Sequence, residues 1–441
     1  MYQKTTQELL DFIAKCPSCY HTVQTVTGIL KDAGYTELSE GSPWKLAAGG
    51  RYYVTRNLSS VIAFRVPAGE FQGFMLTASH SESPAFKIKP DPEMPAEGCY
   101  VKLNVEKYGG MILSTWLDRP LSVAGRVMVR TPEGVTARLV NVDRDLLVIP
   151  NLAIHMNRNA NEGYAFNPQK DMLPLFGDET AAGGFWPLIA QEAGAAAEDL
   201  LGSDLFLYCR TPGAIWGHHN EFASSPRLDD LQCTFGTLNG FLSGGHSRTL
   251  PVYCVFDNEE VGSGTKQGAK STFLYDVLRR INDGLGRDHG QYLQALASSF
   301  MLSADNGHAV HPNQPEKADP THRPRLNGGV VIKYNANQKY TTDAVSEAVF
   351  RHICEQAQVP VQEYTNRSDV PGGSTLGNLS TEKVSINTAD IGLAQLAMHS
   401  SYETVGSMDT QYLCQAAQAF YDTCLTAAAD GVYQIENRTA L

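Results

Sequence analysis

Two different spacings of apolar residues divide the chain. Helical spacing, with apolar residues three and four positions apart, predicts amphipathic helices over residues 5–14 and 343–358. Short, almost wholly apolar runs at residues 73–78 and 251–256 predict strands that are buried on both faces. Because such strands alternate with helices near both ends of the sequence, we expect an α/β fold built on a doubly wound, mixed sheet.

The middle of the chain has a different character. Its short β-rich runs are punctuated by Pro, Gly and Asp, and helical periods are few. We therefore expect a β-rich domain, residues 91–225, inserted into one α/β domain made of residues 1–90 and 226–441. The last periodic segment predicts a helix that ends near residue 429. The predicted strands of the inserted part are residues 98–105, 111–116, 123–130 and 137–148.

Composition narrows the class of protein. The chain has 441 residues, of which 42% are apolar and 19% charged, as is ordinary for a globular protein with a large core. The net charge of −12 argues against nucleic-acid or anionic-membrane partners, which favour a basic face. No apolar run reaches the roughly 20 residues of a membrane helix, and the N-terminal residues lack a signal-peptide pattern, so we expect a cytoplasmic protein.

Nine cysteines are scattered over the chain, which fits reduced thiols in that compartment. Cys16 and Cys19 form one C-x-x-C pair, but a zinc ribbon needs a second such pair, which the sequence lacks. We interpret these two thiols as incidental to the function.

Candidate chemistry starts with Glu259 and Glu260, which come soon after the predicted strand 251–256. Ligands of open α/β sheets bind outside the carboxyl ends of the strands, and two adjacent carboxylates there repel each other. A divalent metal ion removes this conflict, because one carboxylate can ligate it while the other accepts a proton from a water molecule. The alternative is a solvated pair of glutamates that caps a helix.

Further carboxylates and imidazoles fall at other strand ends and helix starts. One such residue alone is interpreted as a helix N-cap or as a core histidine whose hydrogen bonds are satisfied. Several of them at one sheet edge predict a site for two zinc-like ions with one bridging carboxylate. The set consists of His80 with Glu82, Asp229, Glu259 with Glu260, Asp305 and His399.

The sequence resembles the M18 aminopeptidases, the aspartyl aminopeptidase family of dinuclear zinc exopeptidases, and is most similar to bacterial members. The resemblance covers nearly the whole chain. It is carried by residues 108–110 (YGG), 115–119 (TWLDR), 152–155 (LAIH), 166–170 (FNPQK), 225–229 (SPRLD), 257–263 (DNEEVGS), 303–305 (SAD), 308–312 (HAVHP) and 395–400 (QLAMHS).

The resemblance implies a zinc-exopeptidase fold and a role for each residue of the set. His80 and Asp305 would hold one metal ion, Glu260 and His399 the other, and Asp229 would bridge them. Glu259 would be the general base. The ions would be Zn²⁺, although these ligand types also suit Co²⁺ or Mn²⁺.

Four further expectations come from the same resemblance. Lys333 would face an acidic side chain of the substrate, with an exposed strand lysine as the alternative. His155 would act either as a metal ligand or as a substrate contact across a subunit boundary. Glu82 stands where the family has Asp, and its carboxylate would accept the imidazole N–H of His80. The β-rich insertion would mediate assembly into a homo-oligomer, either a dimer or a dodecamer.

The expected function is removal of N-terminal residues, preferably Asp or Glu, from peptides that have a free N-terminus. The attacking water would lie between two metal ions, and Glu259 would accept its proton. One alternative is a dinuclear deacylase or carboxypeptidase, and another is a non-catalytic peptide-binding assembly protein. A nucleotide-binding protein is excluded, because no phosphate-binding glycine motif follows a strand.

Overall fold

The computed structural model describes residues 2–373 and 375–437. Their helices are α1 (Tyr2–Ala14), α2 (Cys19–Asp32), α3 (Pro168–Asp171), α4 (Phe185–Ala193), α5 (Leu228–Ser243), α6 (Phe273–Gly284), α7 (His289–Ala297), α8 (Ala344–Gln356), α9 (Leu376–Ser380) and α10 (Asp409–Tyr421).

The strands are β1 (Thr36–Leu38), β2 (Arg51–Arg56), β3 (Ser60–Arg65), β4 (Gly73–His80), β5 (Ala85–Ala96), β6 (Tyr100–Tyr108), β7 (Leu121–Thr131), β8 (Gly134–Asn141), β9 (Leu175–Asp178), β10 (Leu200–Cys209), β11 (Ala214–Trp216), β12 (Phe222–Ser225), β13 (Thr249–Phe256), β14 (Phe300–Ala304), β15 (Gly307–His308), β16 (Val330–Tyr334), β17 (Val361–Thr365), β18 (Asn387–Gly392), β19 (Ala394–Leu396), β20 (Glu403–Gly406), β21 (Thr423–Ala429) and β22 (Val432–Asn437).

A nine-stranded mixed sheet forms the centre of the fold, in the order β1-β2-β3-β13-β4-β14-β18-β16-β17. Strand β4 lies in its middle and runs parallel to both β13 and β14. Every residue of β4 and β13 is buried, as expected of strands covered on both faces. The sheet therefore brings the carboxyl ends of three adjacent parallel strands to one edge.

Two apolar cores cover the two faces of this sheet. Met75 of β4 packs in the core that includes side chains of α1, α2, α5, α8 and α10. Its neighbours Phe74 and Leu76 point the other way, into the core that includes side chains of α6, α7 and α9. Helices on both faces of a mostly parallel sheet make the fold doubly wound, as the sequence predicts.

A separate six-stranded antiparallel sheet, in the order β8-β7-β10-β5-β6-β9, is built from residues 85–209. It has its own apolar core, which includes Phe86, Trp116 and Phe185. A third sheet has the order β11-β12-β20-β19-β15. It combines β11 and β12, which precede α5 in the chain, with β15, β19 and β20, which follow it. The strands β11 and β12 of the predicted insertion belong to this third sheet, and the division at residues 91–225 stays a prediction.

Some predicted elements are wrong. Residues 111–116 do not form a strand. They end in a 3₁₀ helix, Leu113–Trp116. The last helix ends at Tyr421, and residues 423–429 form β21, where Thr423, Thr426 and the pairing with β22 favour an extended chain. Among the described residues, no helix combines the length and the apolar character that a membrane crossing would require.

Candidate active site

The register of the central sheet places the predicted ligands next to one another. His80 ends β4 and pairs with Phe256, the last residue of β13, so the turn that carries Glu259 and Glu260 begins beside it. Strand β14 pairs with β4 on the other side, and Asp305 follows its last residue. Because these strands are parallel, their polar carboxyl ends meet at one edge.

Asp229 and His399 reach this edge from outside the central sheet. Asp229 lies in the first turn of α5, and its peptide bond to Asp230 is cis. His399 precedes β20 and has a φ of 66°, a left-handed conformation that a residue with a Cβ seldom adopts. Both residues are thus carried by irregular backbone rather than by strand ends.

Asp229 lies between two histidines. Its Oδ1 is 3.4 Å from Nε2 of His80, and its Oδ2 is 3.5 Å from Nε2 of His399. Each side has a second carboxylate: Asp305 Oδ1 lies 3.9 Å from His80 Nε2, and Glu260 Oε2 lies 3.3 Å from His399 Nε2. Asp229 therefore belongs to two clusters at once.

These separations fit ligands that surround a metal ion. With metal–ligand distances of about 2.1 Å, neighbouring ligands of a tetrahedral site lie about 3.4 Å apart. The ligand atoms of His80, Asp229, Asp230 and Asp305 lie within 4.8 Å of one another, and so do those of Asp229, Glu260 and His399. The Oδ1 atom of Asp229 is buried without a hydrogen bond, which is unfavourable unless a cation or water contacts it.

The electrostatics of the site also call for cations. Burial and the charge of Asp305 raise the pKa of Glu259 to about 8, and burial and the charge of Asp229 raise the pKa of Glu260 well above its ordinary value. Burial alone would lower the pKa of His399, but Asp229 and Glu260 raise it to about 10. The carboxylates outnumber the positive groups, and divalent cations would stabilise all of them as anions.

Glu82 supports two of these residues, in a different way from the one predicted. Its backbone oxygen, 3.0 Å from Nδ1 of His80, is the nearer acceptor, while its carboxylate lies 3.5 Å from the same nitrogen. The carboxylate instead accepts hydrogen bonds from the backbone N–H of Glu260 at 3.1 Å and from the Tyr108 hydroxyl at 3.3 Å. The longer Glu side chain therefore links His80 to the turn after β13.

Two buried carboxylates of the site escaped the sequence analysis. Asp230 accepts a hydrogen bond from the backbone N–H of His80 and belongs to one of the two clusters that contain Asp229. Glu403 accepts from the backbone N–H groups of Asp229 and His399. Glu403 stands four residues after His399, and this spacing is the one sequence signal that could have suggested it.

Comparison with known proteins identifies the family. Residues 12–421 match the family model described as aminopeptidase I zinc metalloprotease (M18). This chain belongs to the M18 family. A probable M18 family aminopeptidase 2 of Clostridium acetobutylicum is 46% identical over 424 residues, which cover 94% of this chain and 98% of the relative. The chain is accordingly an M18-type metalloaminopeptidase.

Solved structures support the fold of this M18 chain. Ape4, determined by cryo-EM in a complex with Nbr1, is similar with a TM-score of 0.92 and 36% identity, over 95% of this chain and 86% of Ape4. The mApe1 dodecamer of S. cerevisiae is similar with a TM-score of 0.83 and 27% identity, over 95% of this chain and 97% of mApe1.

Lys333 of the M18 chain lies beside the metal-binding cluster. Only 2% of it is exposed, so the alternative of an exposed strand lysine is wrong. Its Nζ donates a hydrogen bond to the backbone oxygen of Asn306 at 2.9 Å and lies 3.5 Å from Oδ2 of Asp305. Burial alone would lower the pKa of Lys333, but the charge of Asp305 raises it, so the side chain is a buried cation.

His155 is not among the side chains that gather at the edge of the central sheet. It is exposed in the turn-rich segment that joins the isolated bridge at Ile149 to α3. Its neighbours Leu152, Ile154 and Met156 expose 53%, 48% and 71% of their surfaces. Within the described part of this M18 chain, three clusters of side chains could hold a metal ion, the third being His80, Glu259 and Glu260, and none of them includes His155.

Proposed function

We propose that the protein removes N-terminal residues, preferably Asp or Glu, from peptides, with two divalent cations held in the site described above. His80 and Asp305 would hold one cation, Glu260 and His399 the other, and Asp229 both. The observation that carries the proposal is the position of Asp229, whose two carboxylate oxygens face two different histidines at 3.4 and 3.5 Å. A carboxylate between two such groups is the arrangement of a two-metal hydrolase.

The residues around the cations would divide the chemistry among them. When bound, the cations supply Lewis acidity that favours ionisation of water and polarises a carbonyl group. Glu259 stands in the turn beside Glu260 and is the proposed general base, which accepts a proton from water and returns it to the leaving amine. Without cations, burial and Asp305 raise the pKa of Glu259 to about 8. Bound cations would lower this pKa, so that Glu259 is ionised and able to accept a proton.

Lys333 is the proposed source of the preference for acidic residues. It is a cation in a buried position, 3.5 Å from a carboxylate oxygen of the proposed ligand Asp305, so it can reach a substrate side chain only next to the reacting bond. A buried ammonium interacts more strongly with a carboxylate than an exposed one, because the surroundings screen it less. A neutral N-terminal side chain would gain no such interaction, so it should be bound less well than Asp or Glu.

Zinc is the metal we propose, in two ions per chain. The donor set of two imidazoles and several carboxylates suits Zn²⁺, and the family description names a zinc metalloprotease. Co²⁺ and Mn²⁺ accept similar donors, so metal content measured after purification without added metal is the direct test.

A homo-oligomer is the proposed form of the protein, with the β-rich insertion as the assembly domain. The similar yeast protein mApe1 is a dodecamer, and the His155 segment of this chain exposes large apolar side chains at three alternate positions. We propose that this segment packs on a second copy and that His155 contacts a substrate there. Nine free cysteines agree with the proposed cytoplasmic location.

The oligomer proposal predicts an effect of His155 that depends on assembly. We expect His155→Ala to lower kcat/KM by about 10-fold or more, the usual scale of a lost active-site hydrogen bond, while the metal content stays unchanged. Mixing this variant with Asp229→Ala before assembly should restore part of the activity, because mixed interfaces then contain one intact site. Full activity of His155→Ala, or no recovery on mixing, would contradict the proposal.

The function itself is tested with two variants that separate metal binding from proton transfer. Asp229→Ala should lose both metal ions and peptide hydrolysis, because it removes the residue that the two clusters share. Glu259→Gln should keep both ions and lower kcat by about 10²–10⁴, the usual contribution of a general base. Glu192→Gln, the same change at an exposed position of α4, should behave as wild type.

The measurements are metal content by elemental analysis and hydrolysis of aspartyl and leucyl test peptides, with N-acetylated peptides as controls. Chelation should abolish hydrolysis, and added Zn²⁺ should restore it. Turnover of N-acetylated peptides at the rate of free-amine peptides would instead identify a deacylase or a carboxypeptidase. Retention of both ions by Asp229→Ala would remove the structural basis of the proposal.

A further inference from the structure

We infer that Glu403 is a positioning residue, whose carboxylate fixes the backbone of Asp229 and His399 so that their side chains reach the same cation. The inference rests on the proposed function, since it requires that these two residues share a cation. Glu403 does not belong to any of the metal-binding clusters found among the described residues, so its effect would be indirect.

The contacts of Glu403 connect two distant parts of the chain. Its Oε2 accepts a hydrogen bond from the backbone N–H of Asp229 at 3.0 Å, and its Oε1 accepts one from the backbone N–H of His399 at 2.8 Å. Only 2% of the residue is exposed. Once cations are bound nearby we expect Glu403 to be ionised, and hydrogen bonds to an ionised acceptor are roughly twice as strong as neutral ones. One carboxylate therefore sets the distance between the two backbones.

The sheet around Glu403 explains why a support is needed at this position. Strands β12 and β20 are antiparallel, with Ser225 opposite Glu403. The loop to Asp229 leaves β12 at this pair, and the loop that carries His399 enters β20 there. Beyond it both loops adopt left-handed backbone, with a φ of 59° at Arg227 and 66° at His399, which side chains with a Cβ disfavour. The pairing of β12 with β20 aligns the two loops where they leave the sheet, but it does not fix the positions of Asp229 and His399 farther along them.

Glu403 is placed to act through the backbone rather than on a substrate. It lines a cavity of about 320 Å³ together with Glu82, Tyr108 and Arg227. Among the described residues that line this cavity, none is a proposed metal ligand. Glu403 therefore borders this cavity without being a ligand itself, and its carboxylate contacts the backbone N–H groups of Asp229 and His399.

The effect of Glu403 should be selective for one of the two cations. His80 and Asp305 stand directly at the ends of β4 and β14, where the central sheet holds them. His399 has no such strand, and its backbone N–H is held by Glu403. Loss of the carboxylate should therefore weaken the cation between Asp229, Glu260 and His399 more than the cation between His80 and Asp305.

The test compares Glu403→Gln with Glu403→Asp and with the exposed control Glu192→Gln. Glutamine keeps the shape of the side chain, but one of its two ends is an amide NH₂ that cannot accept a hydrogen bond. Zn²⁺ affinity is measured by titrating metal-free protein in competition with a chelator of known affinity. For Glu403→Gln we expect one of the two affinities to fall about 10- to 100-fold, the range for residues that orient ligands, and the other to change less than about 3-fold.

Two further readouts separate positioning from general stability. The unfolding temperature of the metal-free Glu403→Gln protein should stay close to that of Glu192→Gln, while kcat falls and recovers when Zn²⁺ is raised. Glu403→Asp keeps the charge but is one methylene shorter, so it should retain one of the two hydrogen bonds and an intermediate affinity.

The inference is overturned if Glu403→Gln binds both ions as wild type does, or if it weakens both equally. It is also overturned if both Glu403 variants unfold before the metal affinities can be measured, since the role is then structural. Wild-type protein that binds no pair of ions would instead overturn the proposed function, so the two failures are distinct.

Discussion

Lys333 lies beside Asp305, a proposed metal ligand, and can serve two purposes. Its ammonium group is 3.5 Å from Asp305 and donates to the Asn306 backbone oxygen, so it can position Asp305 as well as attract an acidic substrate. If Lys333 binds the acidic side chain of the substrate, Lys333→Met should lower kcat/KM for aspartyl peptides about 10- to 100-fold more than for leucyl peptides. This is the scale of one charge-assisted hydrogen bond.

The measurement for Lys333 is the ratio of the two kcat/KM values together with the metal content. An equal loss on both peptides, accompanied by a loss of metal, would show that Lys333 serves Asp305 instead. Lys333→Arg is the matched control, because it keeps the charge while changing the geometry, and it should retain part of the preference for aspartyl peptides.

The residues that touch the proposed cations could be predicted from sequence, while their supports could not. Glu259 and Glu260 were visible because adjacent carboxylates after an apolar run are chemically costly, and His80 and Asp305 because they follow such runs. Glu403 acts on backbone N–H groups of two other segments, and a backbone group has no signature in the sequence. The backbone oxygen of Glu82, which lies nearer to the His80 imidazole than the Glu82 carboxylate does, has no signature in the sequence either.

At the scale of elements, the close contact between β18 and the end of β14 holds Asp305 in place. A Cβ added at Gly392, the last residue of β18, would lie 1.8 Å from the backbone oxygen of Asp305, a distance that no real structure allows. We expect Gly392→Ala to displace Asp305, to lower the free energy of unfolding by about 1–3 kcal/mol through overpacking, and to weaken metal binding.

Gly28→Ala is the control for this prediction. Gly28 lies on the exposed side of α2, where an added Cβ meets no atom within 4 Å. Because alanine favours helix, this change should be neutral or should stabilise the protein by up to about 1 kcal/mol. Equal metal content and equal unfolding temperature in the two variants would show that Gly392 is not needed for the position of Asp305.

Elements with one clear period were predicted well, and those with mixed signals were not. The buried strands β4 and β13 contain short, almost wholly apolar runs, and α1 and α8 have clear helical spacing. Strand β5 was missed because Pro90, Pro92 and Pro95 interrupt it, and its pairing with β6 shifts register between Ile88 and Glu93. Long-range pairing overrides local preference in such strands.

At the scale of the whole molecule, buried carboxylates couple stability to pH. Burial raises the pKa of Glu259 and of Glu403 to about 8, with further contributions from nearby acidic groups, and burial raises the pKa of Asp409 to about 7. A carboxyl group whose pKa is raised on folding binds a proton in the folded state while the unfolded state has released it. Its contribution to stability is fully present below the unfolded pKa of about 4 and is lost as the pH rises through the folded pKa.

The metal-free protein should therefore become less stable between pH 5 and pH 8, and the effect of metal should grow over the same range. Cations favour ionised carboxylates. At low pH, Glu259, Glu260 and Glu403 retain protons in the metal-free protein, and release of these protons opposes metal binding. Unfolding temperatures measured with chelator and with excess Zn²⁺ should differ little at pH 5 and by about 5 °C or more at pH 8, as expected from linkage. Asp409 lies outside the clusters and accepts hydrogen bonds from the backbone of Asn327 and Gly329, so Asp409→Asn should flatten the pH slope with and without metal alike. A gap between the two unfolding temperatures that stays constant from pH 5 to pH 8 would contradict the coupling of these carboxylates to the cations.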